Sequence, residues 1–329
     1  MTNIIIDPYI LAYPNNDNEF ENYIDKIIEL NDFKDKTNLN FLISSNTSNV
    51  LVVENNFPYW DTLNEAISKC GLTGIIQPQD IISTLEGILK YAYIENVLKI
   101  DEILYNDILI IPDDIKDGRL ESYVEELNRL LMYICIAHDE GYDNLLLTTE
   151  LVDNMVSITG ELVEVESEKK NIGDLPKIYK KNIATFHTLD KLYSLLDPIQ
   201  IWKTAASEFE YDNAIYIYIY QRTGKYLEEK TWIYGRKFLE SMKSKGFLHE
   251  EAKIKILLKS LANTILCENL RATHALRQGQ GGNTSQVTRS SDKAWRRDID
   301  YEYHLHYWEL ENGFEFASLV VHNDMSIPV

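Results

Sequence analysis

The last sixty residues hold the densest group of side chains that could do chemistry. His304 and His306 are two positions apart, so on a β-strand, whose side chains alternate between faces, both lie on one face. His322 follows at the end of the next apolar run. Two histidines on one face, with a third nearby, can act in general acid–base chemistry or hold a metal ion. A polar sheet face beside an aromatic core is the alternative that this pattern leaves open.

A basic stretch precedes these histidines in the sequence. Residues 251–297 contain nine Lys and Arg against three Asp and Glu, a balance of +6. Arginine can grip a phosphate with two parallel hydrogen bonds. We therefore predict Arg296 as a catalytic residue together with the three histidines. Five further residues are predicted to bind phosphate or RNA: Arg271, Arg277, Arg289, Lys293 and Arg297.

This set of side chains suits RNA cleavage by the neighbouring 2′-hydroxyl. That reaction needs a base for the hydroxyl proton, an acid for the leaving 5′-oxygen, and cations against the charge that develops on phosphorus. His304 or His306 can supply one proton-transfer group and His322 the other. The reaction needs no metal, so no cofactor is expected for this site.

Helices followed by an antiparallel sheet are expected to position these groups. Glu250 to Ala272 has the apolar spacing of an amphipathic helix, and Gly279 to Ser291 has loop composition. Trp295 to Trp308 and Phe314 to Val321 read as strands. Asn312-Gly313 between them is a strong hairpin signal. The Ile/Tyr alternation at 215–220 is left open between strand and helix.

The C-terminal 80 residues resemble the RelE/ParE toxin superfamily. The matching pieces are Trp295-Arg296-Arg297-Asp298-Ile299, Tyr303-His304-Leu305-His306-Tyr307 and Leu319-Val320-Val321-His322-Asn323-Asp324. The resemblance covers a quarter of the chain. It implies helices packed on a RelE-like antiparallel sheet. It also implies metal-independent cleavage of mRNA on the ribosome by basic residues, with His or Tyr often taking part.

The N-terminal half alternates strand-like and helical segments, which indicates an α/β layer with a mostly parallel sheet. The predicted strands are 3–7, 41–45, 50–53, 108–112 and 145–149, and the predicted helices are 19–30, 61–70, 79–98 and 120–138. The composition changes between 160 and 185. We therefore predict an acidic α/β domain at 1–160, a linker at 161–185 and an α+β domain at 186–329, so the chain as a whole is α+β.

The N-terminal half also resembles a PIN-type nuclease domain, more weakly. The pieces are Ile4-Ile5-Ile6-Asp7, Ala137 with Gly141, and Asn144 to Glu150. The resemblance implies Mg²⁺ held by carboxylates, because that small hard cation takes oxygen ligands. Asp7 and Glu150 are the candidate ligands, and a PIN-like scaffold without the full ligand set is expected. A second nuclease-like pattern, Pro112-Asp113 with Glu168-Lys169-Lys170, is interpreted as a chance match.

The charge is divided unevenly along the chain. Residues 1–150 hold 27 Asp and Glu against 9 Lys and Arg, and the whole chain carries −20. This charge repels a polyanion at long range, although a local basic stripe still holds phosphates within a Debye length. The acidic half either serves solubility or recruits a basic partner. Three separated cysteines and the lack of a long apolar run predict a cytoplasmic protein without a membrane partner.

The function predicted first is that of a bacterial toxin-like or antiphage (antiviral) defence nuclease. It is an endoribonuclease of the toxin–antitoxin kind, RNA-binding and metal-independent, with RNA or the ribosome as partner. The alternative is a non-enzymatic component of a bacterial defence complex that binds a protein through the acidic domain. A third reading is a PIN-like nuclease that depends on Mg²⁺. A response to EDTA distinguishes the first reading from the third.

Overall fold

The computed structural model describes most of the chain. The described residues are 2–14, 16, 19–37, 39–151, 154–167, 173–227, 229–278 and 284–328, with backbone alone for 32–37 and 107. The glycine-rich run 279–283 and the Glu168-Lys169-Lys170 pattern lie outside them. The chain divides into two compact units, Met1–Leu192 and Tyr193–Val329. Both mix helices and strands, so the chain is α+β.

One mixed sheet organises the described part of the N-terminal unit. Its strands are β1 (Thr2–Ile6), β2 (Asn40–Ile43), β3 (Ala92–Tyr93), β4 (Glu102–Ile111), β5 (Asp143–Leu147), β6 (Met155–Glu166) and β7 (Lys177–Phe186). The order across the sheet is β3-β2-β1-β5-β7-β6-β4. The first five strands run parallel, whereas β6 and β4 continue the sheet in antiparallel fashion.

Helices flank this sheet. They are α1 (Phe20–Thr37), α2 (Thr47–Val53), α3 (Trp60–Lys69), α4 (Pro78–Ile88), α5 (Ile94–Leu98) and α6 (Glu121–Asp139), and α7 (Leu189–Leu195) lies at the boundary of the units. Helix α6 is buried along most of its length, and Leu127, Leu130 and Ile134 pack in one core with Ile5 and Leu146. The helix that the sequence predicts at 120–138 is therefore the centre of this unit.

Two predictions for the N-terminal half are wrong. Residues 50–53 belong to helix α2, because a short apolar run fits a buried strand or one helix face equally well. The predicted linker at 161–185 contains the end of β6, which pairs with β4 as far as Glu166, and nearly all of β7, which pairs with β6 from Lys177 to Ala184. Its many charged residues alternate with buried ones such as Leu162 and Ile183, so they line the open face of a hairpin. The boundary between units follows residue 192.

The C-terminal unit contains a second sheet. Its strands are β8 (Trp232–Tyr234), β9 (Thr273–Ala275), β10 (Thr288–Arg289), β11 (Asp292–Asp298), β12 (Tyr303–Leu310) and β13 (Gly313–Val321). β10, β11, β12 and β13 are antiparallel neighbours, and β9 also pairs with β11. The strand β8 departs from the predicted antiparallel pattern because it runs parallel to β13.

The predicted hairpin is confirmed, and Gly313 explains its position. This residue has φ +130°, and a Cβ atom there would lie 1.9 Å from the carbonyl oxygen of Thr231. Phe314 N–H donates to that same oxygen at 2.8 Å. Only glycine lets the hairpin approach β8 this closely.

Helices cover one face of the second sheet. They are α8 (Pro198–Thr204), α9 (Glu208–Thr223), α10 (Phe238–Ser244) and α11 (Glu251–Ile265). The open question at 215–220 is answered by α9, which a Ser207/Glu210 capping box begins. Leu305 and Phe316 lie in the core shared with the helices.

A short segment covers part of the opposite face. Residues 324–328, here called the strap, cross the sheet near Ala294 and Trp308, where Met325 and Ile327 pack against the apolar side chains. Within the described residues no helix has both the length and the apolar character that a bilayer crossing requires.

Candidate acid–base site on the C-terminal sheet

Three strands bring five polar side chains together on one face of the sheet. Arg296 on β11 lies opposite His306 on β12 and His274 on β9. Asp298, two residues further along β11, lies opposite His304. Partners in an antiparallel pair share a face, and so do residues two apart on one strand. The strap crosses this same face of the sheet.

His304 forms the middle of a chain of three polar groups. Its Nε2 lies 2.8 Å from Nδ1 of His322, and the two rings meet edge to face with 4.7 Å between centroids. Its Nδ1 lies 3.5 Å from Oδ1 of Asp298. His304 is buried, whereas His322 is exposed to solvent. The chain therefore runs from a carboxylate, through a buried imidazole, to an imidazole at the surface.

Asp298 is the charged group nearest Nδ1 of His304, although this nitrogen makes no hydrogen bond with any described residue. Asp298 favours a proton on Nδ1 of His304, and Nε2 of that ring then accepts the Nδ1–H of His322. This arrangement leaves Nε2 of His322 with a free lone pair. Burial lowers the pKa of His304, and the nearby charge of Arg296 adds to this effect against the opposing pull of Asp298. His304 is therefore neutral near pH 7 and can relay a hydrogen bond.

His274 completes the cluster on its outer side. Its Nε2 lies 3.6 Å from Oδ2 of Asp298, so the two oxygens of this carboxylate face two different histidines. The His274 side chain is 47% exposed. Sequence reasoning missed both His274 and Asp298. The signal for Asp298 was its two-residue spacing from Arg296, but nothing local revealed that β9 would pair with β11.

Arg296 is the cation of this cluster. It is half-buried, and its Nη1 lies 3.6 Å from Sδ of Met325 in the strap. In the part of the chain that the structure describes, no carboxylate lies within ion-pair distance of Arg296. Its charge therefore remains available for an anion on this face of the sheet.

The structure places His306, which the sequence predicts as catalytic, out of reach of solvent. The side chain is fully buried beneath the strap, and its Nδ1–H donates to the carbonyl oxygen of Ser326 at 2.8 Å. Its Nε2 is buried with no hydrogen-bond partner among the described residues. A second proton on Nε2 would have no acceptor, and burial lowers the pKa of His306 to about 4. The residue fastens the strap to the sheet.

This depressed pKa gives a pH dependence with a definite sign. The pKa of His306 in the folded protein lies below its ordinary value of 6.5, so the unfolded chain binds more protons between these pH values. The stability contributed by neutral His306 is complete above pH 6.5 and is lost as the pH falls towards 4, by up to about 3 kcal/mol. Urea unfolding of the C-terminal unit at pH 7.5 and 5.0 measures the loss.

The variant His306→Asn tests this assignment, because asparagine keeps a donor for Ser326 but does not titrate. It should show a smaller loss of stability between pH 7.5 and 5.0 than the wild type. Exposed His249 is the control, since His249→Asn should keep the wild-type slope. Equal slopes for all three proteins would contradict the assignment.

Two predicted phosphate ligands are occupied by structural contacts. Arg297 is buried on the helix-covered face, and its Nη2–H donates to the Glu268 carbonyl at 2.8 Å, just after α11. Arg289 pairs with Glu315 at 2.6 Å and with Asp292 at 3.1 Å. That these two arginines bind RNA stays a prediction, and both side chains already make contacts within the protein. One is inaccessible, and the other already faces two carboxylates.

The remaining basic residues are spread over the unit. Lys293 is exposed, but it alternates with Arg296 along β11 and belongs to the opposite face. Arg277 donates to the carbonyl of Thr284, and Arg271 is exposed in the turn before β9. The structure thus brings together His304, His322 and Arg296 from the predicted set, and it divides the basic stripe between two faces.

The candidate metal ligands of the N-terminal unit do not form a site. Asp7 is fully buried, with Arg119 at 2.7 Å and the hydroxyl of Thr148 at 2.5 Å. Glu150, by contrast, has a side chain that is 81% exposed. No group of three or more His, Cys, Asp or Glu side chains suited to a metal ion occurs among the described residues. The ion pair with Arg119 occupies Asp7, and the Mg²⁺ site implied by the PIN-like resemblance stays a prediction.

Comparison with known proteins gives no relative. No family model, no curated protein and no solved structure matches the chain.

Proposed function

We propose that the C-terminal unit cleaves RNA without a metal ion, at the cluster formed by His322, His304, Asp298, His274 and Arg296. The observation that carries this proposal is the Asp298–His304–His322 chain, which ends on an exposed imidazole, with the charge of Arg296 close enough to His304 to lower its pKa. Such a chain can take a proton at its exposed end and stabilise the positive charge that results. The adjacent arginine suits a phosphate diester.

The proposed reaction begins at Nε2 of His322, which takes the proton of a 2′-hydroxyl. The 2′-oxygen attacks the adjacent phosphorus, and Arg296 stabilises the charge on the phosphoryl oxygens. The bond from phosphorus to the 5′-oxygen breaks, and protonated His274 gives that oxygen a proton. The products are a 2′,3′-cyclic phosphate and a 5′-hydroxyl. Asp298 positions His304 and offsets the charge on both proton-transfer histidines.

The biological setting proposed for this activity is a bacterial toxin-like or antiphage-defence ribonuclease in the cytoplasm. Its substrate is RNA, either free or on the ribosome. The order of helices followed by a mainly antiparallel sheet, with His322 directly after the last strand, supports this proposal. The −20 charge of the chain favours a local contact with RNA over long-range attraction.

A cleavage assay with two matched substrates tests the proposal. Purified protein is incubated with an RNA oligonucleotide in EDTA, and with the same oligonucleotide carrying 2′-deoxy sugars at the cleaved positions. We expect cleavage of the first, with a 2′,3′-cyclic phosphate end, and none of the second. Cleavage of the deoxy substrate, or activity that requires Mg²⁺, would overturn the proposed chemistry. If the protein cuts neither free RNA nor RNA on ribosomes, the proposed function is wrong.

A further inference from the structure

The N-terminal sheet has a crevice between β1 and β5, where the order of the strands across the sheet reverses. From β1 the chain passes to β2 on one side, and it later returns to the other side of β1 as β5. In open α/β sheets, ligands bind outside the carboxyl ends of the strands at such a switch point. A cavity of about 600 Å³ lies there, lined by residues that follow β1, by Thr149 after β5 and by residues of α1.

Aromatic side chains form much of the cavity wall. Four tyrosines line it: Tyr9, Tyr13, Tyr23 and Tyr123. Tyr9 and Tyr123 meet edge to face at 5.3 Å, and Tyr13 and Tyr23 do so at 5.6 Å. The guanidinium of Arg119 already lies 4.5 Å from the centroid of Tyr9. The chain itself thus places a cation on one of these rings, which is the contact that aromatic faces make with organic cations.

Tyr23 adds a buried hydroxyl group to the cavity wall. The residue lines the cavity and is only 4% exposed, and its hydroxyl has no hydrogen-bond partner among the described residues. Burial raises the pKa of this phenol, so it stays neutral. A buried hydroxyl without a partner is costly, and it is explained when a ligand donor can reach its oxygen.

The charges around the cavity determine the sign of the ligand. Glu19 and Lys26 line the main cavity. A neighbouring cavity of about 260 Å³ shares Lys26 and Thr149 with it and adds Glu29 and Glu150. Glu19 and Lys26 thus balance each other in the main cavity, while the second cavity adds two carboxylates and His187, within a half of the chain whose balance is −18. An anionic ligand would meet repulsion here, whereas a cation would be attracted.

We propose that this crevice binds an organic cation, a guanidinium or ammonium group that lies against the tyrosine rings and faces Glu19. The group can come from a basic peptide segment of a partner or from a free polyamine, since both carry the same chemistry. This site is separate from the proposed RNA-cleaving cluster. Its test does not depend on catalysis.

Titration calorimetry at low salt tests the proposal with three probes. These are spermidine, a blocked Arg-Arg dipeptide and the anion AMP. We expect binding of at least one cation that weakens as salt rises, and no binding of AMP. Binding of the dipeptide alone indicates a peptide partner, and binding of spermidine alone indicates a polyamine. Binding of AMP alone, or of no probe, would overturn the proposal.

Two charge variants sharpen the test because they act in opposite directions. Glu19→Gln should weaken cation binding by about fivefold, and Lys26→Met should strengthen it by a similar factor, as expected for single charges near the protein surface. Glu21→Gln, on the exposed side of α1 and outside the cavity lining, is the matched control and should bind as the wild type does. Tyr23→Phe removes only the hydroxyl and should also weaken binding. Effects of the opposite sign for Glu19 and Lys26 would identify an anion site.

Discussion

Replacement of His322 by alanine is expected to lower the rate of RNA cleavage by about a hundredfold or more, the usual contribution of a general base. This side chain is the exposed end of the Asp298–His304–His322 chain. No other described residue of the cluster lies at that end, so none can replace it as the base. Because His322 is exposed, its removal should leave the melting temperature within a few degrees of the wild type. Single-turnover cleavage of a labelled RNA in EDTA measures the effect.

The controls separate chemistry from folding. His249→Ala removes an exposed histidine from a turn outside the cluster and should keep full activity. Asp298→Asn should cause a smaller loss than His322→Ala, because it alters the group beside His304 and His274 but leaves both proton-transfer histidines in place. A His322→Ala protein that cleaves at the wild-type rate would show that the cluster is not the catalytic site.

Removal of the Asp7 carboxylate is expected to destabilise the N-terminal unit by about 3–5 kcal/mol, the usual cost of breaking a buried ion pair. The reason is that Asp7→Ala leaves the fully buried Arg119 without its counter-charge. The double variant Asp7→Leu/Arg119→Met should recover much of this stability, because well-packed apolar residues often replace such a pair at little cost. Urea denaturation of the single and double variants measures both effects.

The same variants decide between a structural and a metal-binding Asp7. An ion-pair role predicts that RNA cleavage in EDTA survives in the double variant. A metal-ligand role predicts an Asp7→Ala protein as stable as the wild type that has lost a Mg²⁺-dependent nuclease activity. The second result would restore the metal-dependent reading of the N-terminal unit.

Local sequence patterns predicted the C-terminal sheet well and its functional side chains in part. The Asn312-Gly313 hairpin and the common face of His304 and His306 follow from turn chemistry and strand periodicity, which are local properties. Whether solvent or a substrate can reach a given histidine depends on the strap. A short stretch of sequence does not reveal where the strap lies. For this reason His306 was predicted as catalytic although it is buried, and His274 was missed although it faces Asp298.

The same distinction explains the errors in the N-terminal half. Helix α6 was predicted because its apolar periodicity extends over five turns. The apolar run at 50–53 is too short to distinguish the periodicity of a strand from that of a helix. The charged stretch at 161–185 resembles a linker in composition, and it takes part in a sheet only because β6 and β7 pair with each other. Composition reports average polarity, whereas strand pairing depends on residues that are distant in the chain.

The strap covers one tryptophan, and the fluorescence of that side chain can therefore report where the strap lies. Trp308 is fully buried; its indole N–H donates to the Pro328 carbonyl at 3.0 Å, and the Arg289 guanidinium lies 4.7 Å from the ring centroid. Indole fluorescence responds to the polarity around the ring. If the strap leaves the sheet, Trp308 meets water and its emission moves to longer wavelength. A protein in which the other four tryptophans are replaced by phenylalanine would therefore report strap release in solution without an added label.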